Sequence, residues 1–125
     1  MNYVGIVLVS HSHKIAEGLK DLINQVLKDV PVEAAGGTDD NDIGTSFDKI
    51  THAIERAHSN KGALVFYDLG SALMNAELAI EMSDYENVKV AMDTPLVEGG
   101  YVAAVESSMG KTVEEIVDAV KKATT

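Results

Sequence analysis

The chain has 125 residues, of which 46% are hydrophobic and 24% charged; this is a globular composition, and residues 1–125 are expected to form a single domain. It contains no cysteine, which excludes disulfide and thiol chemistry, and its net charge of −10 argues against nucleic-acid binding, because phosphate backbones select basic surfaces. The same charge disfavours tight binding of free nucleotide and favours a protein partner with a basic face. No apolar run approaches the ~18 residues of a membrane span, and the opening MNYVGIVLVS lacks the basic start of a signal peptide, so a cytoplasmic location is expected.

Residues 3–9 form an unbroken apolar, β-branched run, the pattern of a strand buried on both faces of a parallel sheet. After SHSHK, Ile15, Leu19, Leu22, Ile23, Val26 and Leu27 recur at helical spacing, predicting a helix over about 13–28 with one apolar face. Pro31 ends it, and VEAA supplies a short second strand. The stretch 36–46, GGTDDNDIGTS, has the turn chemistry of a loop, with Thr45 or Ser46 placed to cap the next helix. Phe47, Ile50, Ile54 and Ala57 mark the face of that helix.

ALVFY at 63–67 is the second strong strand, and Ser71 is placed to cap a helix with Leu69, Ala72, Leu73, Ala76, Ala79 and Ile80 on its core face. Met74, Leu78 and Met82 form a second apolar stripe on this helix. Such a stripe is core or contact surface; with a core face already assigned, a contact with a second copy is the preferred reading. Residues 87–92 read as a fourth strand. The segment from Pro95 to Gly110 reads as partly helical with Gly99-Gly100 as a weak point, and a last helix over about 112–123 buries Val113, Ile116, Val117 and Val120.

The order βαβαβαβ followed by helices predicts an α/β three-layer sandwich, mainly parallel, with helices on both faces. Right-handed crossovers place the C-terminal ends of the strands on one edge of the sheet. In the order 2-1-3-4 the strand sequence reverses between the first and third strands, where ligands bind in such folds. Ser10-His11-Ser12 and Asp68-Leu69-Gly70 follow those two strands, so topology alone predicts that His11 and Asp68 are neighbours.

A histidine phosphorylated on one ring nitrogen needs the other nitrogen held, and a carboxylate does this while stabilising the cationic ring formed on phosphorylation. His11 is the candidate nucleophile and Asp68 the candidate holder; Asp68 taken alone is equally readable as a helix cap. The helix after His11 presents free N–H groups suited to phosphoryl oxygens, and Ser10 and Ser12 can cap it or bind those oxygens. Thr38, Gly70 and Ser71 complete the candidate phosphate-binding rim. His13, His52 and His58 read as solvated helix positions. A metal site at His11-x-His13 would need two more convergent ligands, and none is apparent, so no metal and no cofactor bound by this chain are expected.

Rival uses of such a fold lack their parts here. A response-regulator receiver needs an acidic cluster after the first strand, and a flavodoxin needs a Gly-rich phosphate loop there and more aromatics; SHSHK supplies neither. No P-loop is present either.

GIVLVSHSHKIAEGL, DIGTS, YDLGSALMNAE and PLVEGGYVAAV together span nearly the whole chain. In them the sequence resembles the DhaM phosphocarrier subunits of the phosphoenolpyruvate-dependent dihydroxyacetone kinases, which are similar in turn to mannose-family enzyme IIA domains. The specific signature is VSHS followed by DLGSA. The resemblance implies a mannose-type IIA fold, a homodimer, and phosphorylation of His11 on Nε2 by the phosphocarrier protein HPr while Asp68 holds Nδ1. It further implies transfer to ADP held on a partner subunit, DhaL, the ATP so formed phosphorylating dihydroxyacetone on a third subunit, DhaK. Fused HPr-like and enzyme I-like domains found in some members are not in this sequence, so separate donors are expected. The alternatives are a IIA subunit of a mannose-type sugar transporter and a regulatory module controlled by histidine phosphorylation.

Overall fold

A computed structural model describes residues 2–125. The elements are β1 (Gly5–Ser10), α1 (His13–Val26), β2 (Val32–Gly36), α2 (Phe47–Ala57), β3 (Ala63–Tyr67), α3 (Gly70–Ser83), β4 (Val88–Val90), α4 (Leu96–Ser108) and α5 (Val113–Thr124). The strands form one sheet in the order β2-β1-β3-β4, every pairing parallel. The expected α/β sandwich and strand order are thus present, and the sheet is wholly parallel.

The central strand β1 is buried at every residue. Its side chains alternate, as strand geometry requires. Ile6 and Leu8 join Leu64 and Phe66 of β3 in a cluster under α1, α4 and α5, whereas Val7 and Val9 join Val65 in a second cluster under α2 and α3. Each such side chain, fully buried, contributes about 1.5–3 kcal/mol.

Three helix starts carry side-chain caps, which satisfy N–H groups that the first turn leaves free. The Ser12 hydroxyl accepts from Ile15 N–H at 3.3 Å, Ser46 accepts from Lys49 N–H at 3.1 Å, and Thr112 forms a reciprocal capping box with Glu115. Of the two residues considered for α2, Ser46 is the cap; the Thr45 hydroxyl instead accepts from Asn75 Nδ2 at 2.8 Å.

Four expectations are corrected. Ser71 does not cap α3: the N-cap is Leu69, without a side-chain hydrogen bond, and Leu69 is exposed rather than part of the core face. On α1 the sheet covers only Ala16, Leu19 and Ile23, leaving Ile15, Leu22 and Val26 exposed. The helix lies along the β2 side of the sheet, so only a narrow stripe of its wider apolar face finds a partner. Val88–Val90 is shorter than the strand expected over 87–92. Finally, Gly99-Gly100 is no weak point: α4 runs unbroken through it. A Cβ on Gly100 would lie 2.9 Å from Leu8 Cδ2, and one on Gly99 3.2 Å from Phe66 Cε2. The glycines let the helix backbone settle onto β1 and β3, and this packing outweighs their low helix propensity.

Candidate active site

The C-terminal ends of β1 and β3 lie side by side, with Val9 registered on Tyr67. The residues that follow, His11 and Asp68, therefore meet, and Asp68 is the hub of the contact. Its Oδ1 lies 3.0 Å from His11 Nδ1 and accepts from Leu69 N–H at 2.7 Å. Its Oδ2 accepts from the Ser10 hydroxyl at 2.8 Å and from His11 N–H at 2.9 Å. Burial pushes the Asp68 carboxyl pKa up, but the hydrogen bonds from His11, Ser10 and Leu69 outweigh it and hold the group below its ordinary value of 3.8.

An ionised carboxylate only accepts, so Nδ1 of His11 carries the proton and donates it to Asp68. Nε2 is then the nitrogen with a free lone pair. The Ser71 hydroxyl stands 2.8 Å from it and donates to it. Both side chains of the His11–Asp68 pair are about one-fifth exposed, 20% and 21%. The ring is thus fixed at one nitrogen and approachable at the other, the arrangement a nucleophilic imidazole needs.

The candidate residues do not all converge on the site. His11, Asp68 and Ser71 converge directly. Gly70, the first residue of α3, and Ser71 bring the start of that helix to Nε2, and their N–H groups have no partner among the described residues. Ser10 and Thr38 are spent elsewhere. Ser10 is completely buried, its oxygen accepting from Ser12 N–H at 3.0 Å while its proton goes to Asp68, so it supports the holder and is not on the rim. Thr38 Oγ1 accepts from Asp42 N–H at 3.1 Å inside the 36–46 loop. Ser12 caps α1.

The helix start that reaches Nε2 is therefore that of α3, not of α1 as its position directly after His11 implied. Sequence order makes α1 the neighbour of His11, whereas tautomer fixation by Asp68 turns Nε2 towards the element that follows Asp68. Also unforeseen was Gly44, whose N–H donates to the His11 carbonyl at 2.9 Å and ties the 36–46 loop to the site. Nothing in the periodicity or turn chemistry of that loop marks this contact.

A family profile described as the PTS system fructose IIA component matches residues 5–117. The chain belongs to this family. The phosphotransferase subunit DhaM of a PTS-dependent dihydroxyacetone kinase from Lactococcus lactis subsp. lactis is 45% identical over 118 residues, 94% of each chain. The phosphoryl donor subunit DhaM of PEP-dependent dihydroxyacetone kinase 1 from Listeria innocua is 42% identical over 112 residues, covering 90% of this chain and 88% of that one. Among solved structures, a protein of unknown function superposes with a TM-score of 0.84 at 31% identity, over 98% of this chain and 95% of the other. The resemblance read from VSHS and DLGSA is borne out. Among the described residues no helix is long and apolar enough to cross a membrane.

Proposed function

We propose that this chain is the phosphoryl carrier of a phosphoenolpyruvate-dependent dihydroxyacetone kinase, with His11 as the residue phosphorylated. The observation that carries the reading is the 3.0 Å contact of His11 Nδ1 with Asp68, which leaves Nε2 as the nucleophile beside Ser71. In the forward step the Nε2 lone pair attacks the phosphorus of phospho-HPr; the P–N bond to HPr breaks as the bond to Nε2 forms. The ring becomes a phosphorylated cation that keeps its Nδ1 proton, and the Asp68 carboxylate opposite that proton offsets the new charge. The Ser71 hydroxyl, released from Nε2, donates to a phosphoryl oxygen, and the Gly70 and Ser71 N–H groups at the start of α3 receive the others.

Transfer runs on to ADP held by the DhaL subunit, which breaks the N–P bond and restores the neutral ring. Nucleotide thus belongs to the partner and this chain binds no cofactor. The carrier acts in the cytoplasm as a homodimer, a reading supported by the exposed stripe of Met74, Leu78 and Met82 on α3. Incubation with phosphoenolpyruvate, enzyme I and HPr should add one acid-labile phosphate, which should pass to ADP when DhaL is added. Normal uptake by His11→Ala refutes the proposal.

The description of the family itself, a sugar IIA component, favours one second reading: the same chemistry feeding the IIB subunit of a sugar transporter. Transfer to such a subunit, with none to DhaL and ADP, decides for it.

A further inference from the structure

A cavity of about 270 Å3 lies against β2, an edge strand of the sheet. His13 and Glu17 of α1 form one wall, Lys49, His52 and Arg56 of α2 the other, and Ala34, Gly36 and Asn41 complete the lining. In a chain of net charge −10, a pocket with one lysine, one arginine, two histidines and one carboxylate on its walls inverts the prevailing sign. Its cations also have capacity to spare. Lys49 Nζ donates only to neutral acceptors, Gly36 O at 2.9 Å and Asn41 Oδ1 at 2.5 Å, and forms no ion pair among the described residues. Arg56 meets Glu33 through Nε alone, at 3.1 Å, so its terminal nitrogens remain available for a bidentate contact. His13 Nδ1 is shut off from solvent and has no hydrogen-bond partner among the described residues.

We propose that this cleft binds a small oxyanion of the phosphate class, free or as a monoester. Lysine and arginine on the wall favour an anion over a metal, and His13, Glu17 and His52 do not group as metal ligands among the described residues. The volume exceeds that of a bare phosphate, which leaves room for an ester substituent. The occupant competes with Asn41 for Lys49, on the same 36–46 loop whose Gly44 N–H holds the His11 carbonyl.

The test needs no phosphoryl donor, so it stands or falls apart from the carrier function. Histidine ring 1H–15N spectra of the full chain carrying His11→Ala are recorded during titration with inorganic phosphate, and separately with phenyl phosphate. Saturable shifts at His13 and His52, with His58 unmoved, are expected. Lys49→Gln and Arg56→Gln should each weaken binding about tenfold, the loss of one charge-assisted hydrogen bond, and Glu17→Gln should tighten it severalfold. Tighter binding of phenyl phosphate identifies an ester as the occupant, and equal binding identifies free phosphate. Shifts that never saturate, that chloride reproduces at equal ionic strength, or that persist at full affinity in both charge variants overturn the proposal. Unchanged thermal midpoints show that the variants are folded.

Discussion

His11 and His13 stand two residues apart, yet their surroundings are opposites. The His11 ring is fixed at Nδ1 by Asp68 and meets the Ser71 hydroxyl at its approachable Nε2, and both partners come from segments more than fifty residues away. The His13 ring opens the first turn of α1, lines the cleft by β2, and has a buried nitrogen with no hydrogen-bond partner among the described residues. The lesson is that the end of a parallel strand inherits partners from the strand registered beside it, whereas the first turn of a helix inherits only what packs across from it.

Removing one histidine at a time gives the largest expected contrast. His11→Ala should lose all phosphate uptake in the enzyme I and HPr assay, while His13→Ala should retain it; loss in both would erase the distinction. Next comes the holder. Asp68→Asn preserves shape but lets Nδ1 face a donor, so the wrong tautomer is populated and the uptake rate should fall on the order of 10³-fold, with little change in His13→Ala. Stopped uptake assays measure this directly, and an unchanged rate would reduce Asp68 to a helix cap. Ser71→Ala removes one hydroxyl donor to the phosphoryl group and should slow uptake by about tenfold, read in the same assay.

The smallest effect is on stability. The folded-state pKa of Asp68 lies below its ordinary value, so its contribution to stability is present above pH of about 3.8 and is lost as pH falls through the folded value. Denaturant unfolding of the parent chain and Asp68→Asn should differ at neutral pH and converge in acid. A difference that persists unchanged to pH of about 2 would place the effect in packing instead of charge.

Much of this protein was legible along the chain. The central strands announced themselves because β1 and β3 are covered on both faces and must be continuously apolar. The pairing of His11 with Asp68 followed from connectivity: right-handed crossovers put the strand ends on one edge, and the order reversal puts those two ends side by side. Less legible was anything that depended on how wide a face a neighbour covers. The α1 residues Ile15, Leu22 and Val26 have the spacing of a core face and lie in solvent, because periodicity reports that a face is apolar and not how much of it is met. Gly99-Gly100 misled for a related reason: a missing side chain reads as weakness until the strand atoms that would strike it are known.

The sequence by itself determined the α/β architecture, the parallel order of the strands and the meeting of His11 with Asp68, since these follow from hydrophobic period and chain connectivity. Only the tertiary structure decided that Ser10 is buried beneath Asp68, that Ser71 faces Nε2, and that the helix start serving the site is that of α3. Hydroxyl groups on short side chains act over about 3 Å, and which partner lies within that reach is set by packing between distant segments, which no local pattern encodes.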